Sequence, residues 1–143
     1  MRRRAVLLLF VLGACSGSVV ETPDPSTGGL PIAVTTTFTE GSTATSASIT
    51  GAGDSVVAVV TQPATCGKTL DASANATGKT LVIMVALSAS SPQSCSPLFG
   101  TTTYRVAAHS VRAGTYNASA LYRLVFAGNI TDTTLARATI TLP

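Results

Sequence analysis

The chain has 143 residues, of which 45% are hydrophobic, 5% aromatic and 10% charged. Its formal net charge of +3 rests on Arg2, Arg3 and Arg4: of nine Lys+Arg, the other six face six Asp+Glu. No later Lys/Arg cluster replaces them, which leaves no basic surface for nucleic acid. Thr and Ser carry the polar surface in place of charged groups. No stretch joins helical spacing to helix-forming polar residues, so the composition predicts an all-β chain.

The arginines precede an unbroken apolar run from Ala5 to Leu12. A run of that length fits the ~7–15 residues of a secretory h-region and falls short of the ~20 needed to span a bilayer. Small Gly13 and Ala14 follow, then Cys15. Leu12-Gly13-Ala14-Cys15 resembles the lipobox of bacterial lipoproteins, in which the cysteine thiol takes a diacylglycerol and the signal is cut before it. The resemblance implies a signal peptide over 1–14 and a lipid on Cys15. Several buried acyl chains would hold the protein to a membrane more firmly than one. Ser16, where an Asp is missing, resembles lipoproteins sent to the outer membrane, so the implied location is the cell envelope. The alternative reading of the same residues is an ordinary secretory signal cut after Ala14 or Gly17, with Cys15 incidental.

From the cysteine to Gly29 the chain holds Pro23, Pro25 and Gly28-Gly29 among Ser, Thr and acidic residues. This composition predicts a hydrated tether over 15–29, reaching at most ~45 Å. Residues 30–143 are then enough for one core. The alternation of Ile32, Val34, Thr36 and Phe38 predicts a half-buried strand, with Pro31 marking an edge position. A short strand over Thr45 to Thr50 follows the Gly41-Ser42 turn. Ser55 to Thr61 (Val56, Val57, Ala58, Val59, Val60) is apolar on both faces, as expected of a central strand. A weak strand over Thr69 to Ala74 leads to a turn at Asn75 to Gly78. Thr80 to Ser88 is the second central strand.

The last third is the most regular. Thr101 to Ala108 forms one strand. The next puts Tyr116, Ala118, Ala120, Tyr122, Leu124 and Phe126 on one face. A turn over Gly128 to Asp132 precedes Ala136, Ala138, Ile140 and Leu142, which share a face of the last strand. Seven to eight short strands with regular turns predict a single antiparallel β-sandwich. The Ala113-Gly114-Thr115-Tyr116 corner before a long strand resembles immunoglobulin-like and fibronectin-like domains. That resemblance implies a tyrosine, Tyr116, bonding back to the backbone to fix the turn. The chain departs from the family in having no Trp and in where its cysteines fall, and such a fold carries no activity of its own.

With Cys15 assigned to lipid, Cys66 and Cys95 remain, an even pair that reads as one disulfide in an exported chain. Two strand traversals separate them, which brings both loops to one end of the sheet. Closing that loop stabilises by ~3–4 kcal/mol in the chain-entropy model. A redox pair would favour close Cys-x-x-Cys spacing, which is absent.

For catalysis the sole candidate base is His109, between a strand and a turn, with Asp54, Asp71 and Asp132 in turns of their own. One His and no free thiol pair leave no zinc site, the acids are too dispersed for a calcium loop, and no Gly-rich phosphate cradle is present. A spatial carboxylate pair for glycoside hydrolysis stays open, since partners can be distant in the chain. Tyr104, Tyr116 and Tyr122 have inward parity, leaving no aromatic platform for sugar stacking. The expectation is a cofactor-free, non-enzymatic module, anchored through Cys15, with an envelope protein or a polysaccharide as partner. A periplasmic inhibitor or accessory, a glycan adhesin and a small hydrolase are its rivals. The loops around Cys66 and Cys95 are the first place to look for a recognition surface.

Overall fold

Branched and apolar residues alternate with Thr and Ser along most of this chain, and a pleated backbone sorts the two sets onto opposite faces. The computed structural model describes residues 18–19, 29–64, 68–89 and 99–143. Its strands are β1 (Ser18–Val19), β2 (Ile32–Glu40), β3 (Ser46–Ala52), β4 (Ser55–Pro63), β5 (Lys68–Thr77), β6 (Thr80–Ala89), β7 (Gly100–Ala108), β8 (Gly114–Phe126) and β9 (Asn129–Leu142). They form two sheets, ordered β1-β2-β7-β4-β3 and β5-β6-β8-β9, packed as the expected sandwich.

Both apolar runs form interior strands. In the first sheet β4 lies between β3 and β7, and in the second β6 lies between β5 and β8. Their inward side chains, Val56, Ala58 and Val60 against Leu81, Ile83 and Val85, are buried to within 1% of full coverage. Val106 and Ala108 of β7 and Ala118 and Ala120 of β8 complete the middle of the core. Tyr104 and Tyr116 are buried and Tyr122 packs against the cluster, as their parity required.

One pairing differs from an all-antiparallel sandwich: β6 and β8 run parallel, from Thr80 opposite Asn117 to Ala89 opposite Phe126. The cause is topological. The strand between them in the chain, β7, leaves for the other sheet and inserts between β2 and β4. The chain therefore returns to β6 travelling in the same direction.

Two turns are also tighter than the sequence suggested. Asn75, Ala76 and Thr77 belong to β5, and the reversal is confined to Gly78 and Lys79. Likewise Asn129 to Asp132 belong to β9, and the turn is Ala127-Gly128 with φ of 48° and 81°. Two consecutive positive φ values match the twist of a two-residue hairpin, so the strands can pair to its base. Ser18–Val19, within the stretch expected to be tether, pairs with Val34 and Thr35 at the outer side of β2.

β9 contains one irregularity. Ala120 faces Ala136 and Leu121 faces Thr134, which leaves Leu135 unpaired as a bulge. The slip exchanges faces along β9. Ala136, Ala138, Ile140 and Leu142 point inward beyond it, whereas Thr134, Asp132 and Ile130 share the outer face on its other side.

The sheets close along the β3/β9 side, where Gly51 lies under Ile140 and Leu142. A Cβ at Gly51 would collide with Ile140 Cγ2 and Leu142 Cδ2. On the other side, Leu30 N donates to Ala74 O at 2.8 Å, tying the approach to β2 onto β5. At the corner before β8, Tyr116 Oη donates to Arg112 O at 3.0 Å. This is the backbone bond expected of that tyrosine, and it spans Gly114 at φ 147°.

Two outcomes follow for stability. Gly51→Ala is expected to cost about 1–3 kcal/mol by overpacking, read as a lower urea midpoint with an unchanged slope. Tyr116→Phe, which keeps the ring and removes only the hydroxyl, is expected to cost about 0.5–1.5 kcal/mol by the same measurement.

Candidate functional site

Cys15, Cys66 and Cys95 lie outside the described residues. The strands that lead to the last two are described. Lys68, the first residue of β5, is opposite Ala89, the last of β6, so the two strand ends next to Cys66 and Cys95 in the chain lie side by side. The same end is tied together from the first sheet: Ala64 N donates to Gly100 O at 2.9 Å and Gly41 N to Phe99 O at 3.0 Å.

The exposed large hydrophobic residues gather at this end. Phe38, with its ring over Gly100, is 46% exposed, and Phe99 is 68% exposed. Across the sandwich, Phe126 is opposite Ala89 and Asn129, and Ile130 follows on β9. The levels of the two sheets are matched by Tyr104 and Tyr122, which lie close enough for their ionised forms to repel. Burial first, and that neighbour second, push the Tyr122 hydroxyl above the usual tyrosine range. Burial likewise raises Tyr104, against a smaller lowering by its hydrogen bond with Thr102.

The opposite end holds a cluster that 54 residues of separation concealed. The β3–β4 turn presents Asp54 and Ser55, and the β7–β8 turn presents His109. Ser55 Oγ lies 3.0 Å from His109 Nδ1 and donates to Asp54 Oδ1 at 3.1 Å. Their backbones are bound too, with Val111 N donating to Asp54 O at 2.9 Å and His109 N to Pro31 O at 2.8 Å. A serine hydroxyl has a single proton. With that proton on the Asp54 side, both contacts are satisfied only when His109 Nδ1 carries hydrogen and donates to Oγ.

The same three residue types make hydrolytic triads, but their order here is different. In a triad the histidine stands between the acid and the serine and takes the serine proton. Here the serine stands between, in contact with both the carboxylate and the imidazole. The arrangement does the work of a latch joining two turns. Among the described residues no three of His, Cys, Asp and Glu gather as metal ligands, and no helix is long and apolar enough to cross a membrane.

The outer face of the second sheet is the third notable surface. Arg123 of β8 donates through Nε and Nη2 to both carboxylate oxygens of Asp132 on β9, each at 2.7 Å. Hydrogen bonding from Arg123 first, and its charge as a lesser contribution, hold the Asp132 carboxyl below the usual range. Further along, a depression of 460 Å³ is lined by Asn117, Ser119, Arg137 and Thr139 with the backbone of Ala118 and Ala138. A second, of 300 Å³, adjoins it at the bulge and is lined by Thr134 to Arg137.

Fold and surface together define an all-β sandwich with an apolar loop end, a latched opposite end and a polar outer sheet face. No protein-family model, curated protein or solved structure matches the chain.

Two measurements check these assignments. A serine-directed fluorophosphonate is expected to leave Ser55 unlabelled, and Ser55→Ala to lower stability by about 1 kcal/mol through the lost bridge. In a carboxyl NMR titration Asp132 is expected to titrate below an ordinary aspartate, and Arg123→Gln to return it to the normal range. Because the folded value is the lower one, any stabilisation from this pair is present above the unfolded aspartate pKa. It disappears as pH falls through the folded value.

Proposed function

We propose that this chain is a lipid-anchored protein of the bacterial cell envelope, whose sandwich serves as a non-enzymatic binding or structural module. The observation that carries the reading is Leu12-Gly13-Ala14-Cys15 after a basic start and an eight-residue apolar run, Ala5 to Leu12. The signal supplies export, the cysteine supplies the hold, and the domain behind it stays near the membrane. Outer-membrane placement follows from Ser16 rather than Asp after the cysteine. In this reading Cys66 and Cys95 form the disulfide, and Lys68 opposite Ala89 supports it by bringing the two loop bases together. A bridge there stiffens the loops beside Phe38, Phe99, Phe126 and Ile130, and this end is the recognition surface. Exposed apolar residues grouped beside loops favour a protein partner there, in keeping with the envelope-protein alternative.

The ordering of Asp54, Ser55 and His109 supports the non-enzymatic part of the reading, since the serine and not the histidine is the middle member. The anchor is tested by growing cells on an alkynyl palmitate analogue and isolating the protein. The expected product begins at Cys15, carries acyl chains and partitions with membranes, while Cys15→Ser stays unprocessed and unlabelled. Recovery of an unacylated chain cut after Gly17 would overturn the anchor. For the disulfide, alkylation without reductant is expected to leave Cys66 and Cys95 unmodified, with both reacting after reduction.

A further inference from the structure

We infer that the outer face of the second sheet, around Arg137, is a binding site for a carboxylate-bearing sugar unit of an acidic polysaccharide. The site is assembled by the register of β8 and β9. Asn117 is opposite Thr139 and Ser119 is opposite Arg137, and all four side chains stand on the solvent side, flanked in β6 by Thr80 and Val82. Neighbouring strands are about 4.8 Å apart and alternate residues about 6.7 Å apart. The four side chains thus mark the corners of an area of about 5 by 7 Å, the footprint of one pyranose ring. Asn117 N is bonded to Lys79 O at 2.8 Å, so the backbone under this corner is held and the amide side chain is presented outward.

The chemistry of the corners selects the ligand. Two hydroxyls and a carboxamide offer both donors and acceptors, the complement of sugar hydroxyls. Arg137 adds one planar fork of N–H donors, which suits a carboxylate in two-point contact. Among the described residues Arg123–Asp132 is the only ion pair, so Asp132 is engaged elsewhere and Arg137 has no acid bonded to it. The bulge at Leu135 brings Arg137 to the boundary of the two depressions, of 460 Å³ and 300 Å³, and both include it. A bulge bends and twists its strand locally, which is how a sheet face acquires such a hollow.

Arg137 is the single cation among the residues lining the 460 Å³ depression, which distinguishes it from a general anion track. Binding a polyphosphate or nucleic acid backbone takes a row of cations, and the net charge outside the first four residues is zero from six Lys+Arg and six Asp+Glu. One acidic sugar needs only one. The site lies on a sheet face and is distinct from the loop end proposed for a protein partner.

The test uses the full chain in detergent, alongside the Cys15→Ser chain, so that a failure of anchoring and a failure of sugar binding are read separately. Each is passed over immobilised polygalacturonate, neutral dextran and inorganic polyphosphate at moderate salt. Retention on polygalacturonate alone is expected. Arg137→Ala is expected to weaken it at least tenfold, and Ser119→Ala with Thr139→Val several-fold. Arg105→Ala, on the outer face of the other sheet, should leave it unchanged. Circular dichroism melts of each variant exclude unfolding as the cause. The proposal is overturned by equal retention on polyphosphate, by retention on dextran, by insensitivity to Arg137→Ala, or by no retention on polygalacturonate.

Discussion

The two sheets are held together by an interior of small and branched aliphatic side chains. Ala58, Ala74, Ala108, Ala118 and Ala120 are as deeply buried as the valines and leucines around them. Without tryptophan, and with only tyrosines for bulk, the sheets approach closely and each buried methyl group counts. A buried methylene contributes about 0.8 kcal/mol. The same closeness explains why a glycine sits where β3 passes beneath the end of β9. Burial in this interior keeps the hydroxyls of Tyr104 and Tyr122 protonated to higher pH than usual.

The ends of the sandwich have opposite characters. At one, backbone bonds join the β3–β4 turn, the β7–β8 turn and the approach to β2, and Asp54, Ser55, His109 and Tyr116 add side-chain bonds to the same knot. At the other, four strands finish among exposed phenylalanines, and the segments containing Cys66 and Cys95 begin. In the proposed reading the disulfide stiffens that second end, and the polar face around Arg137 adds a separate surface along the side.

What the sequence disclosed, and what it hid, follows from how far apart the interacting residues are. Alternation is local, so strands β2 to β9, the interior placement of β4 and β6, and the inward tyrosines could be read directly. The Tyr116 bond was expected from the resemblance of the Ala113-Gly114-Thr115-Tyr116 corner to immunoglobulin-like domains, and its acceptor is Arg112 O, four residues back. The parallel β6/β8 pairing was hidden because it depends on where β7 goes, and the Leu135 bulge because it exists only relative to β8. The proximity of Ser55 and His109 was hidden by chain separation alone. Composition near Asn75 and Asn129 suggested longer turns, yet two residues suffice at each reversal, Gly78-Lys79 and Ala127-Gly128. The depression around Arg137 had no sequence signal, since Asn117, Ser119, Arg137 and Thr139 look like ordinary solvent-facing strand residues.

The position of β7 also governs the order in which this molecule can assemble. It is the centre of the first sheet, yet it is made late, and β2 must wait for it across some sixty residues of intervening chain. The parallel neighbour of β6 arrives later still. Until the last third has emerged, neither layer can be completed, and the polypeptide stays open. In the proposed reading, where the chain threads a secretion channel, slow long-range pairing is an advantage: folding is deferred to the far side of the membrane.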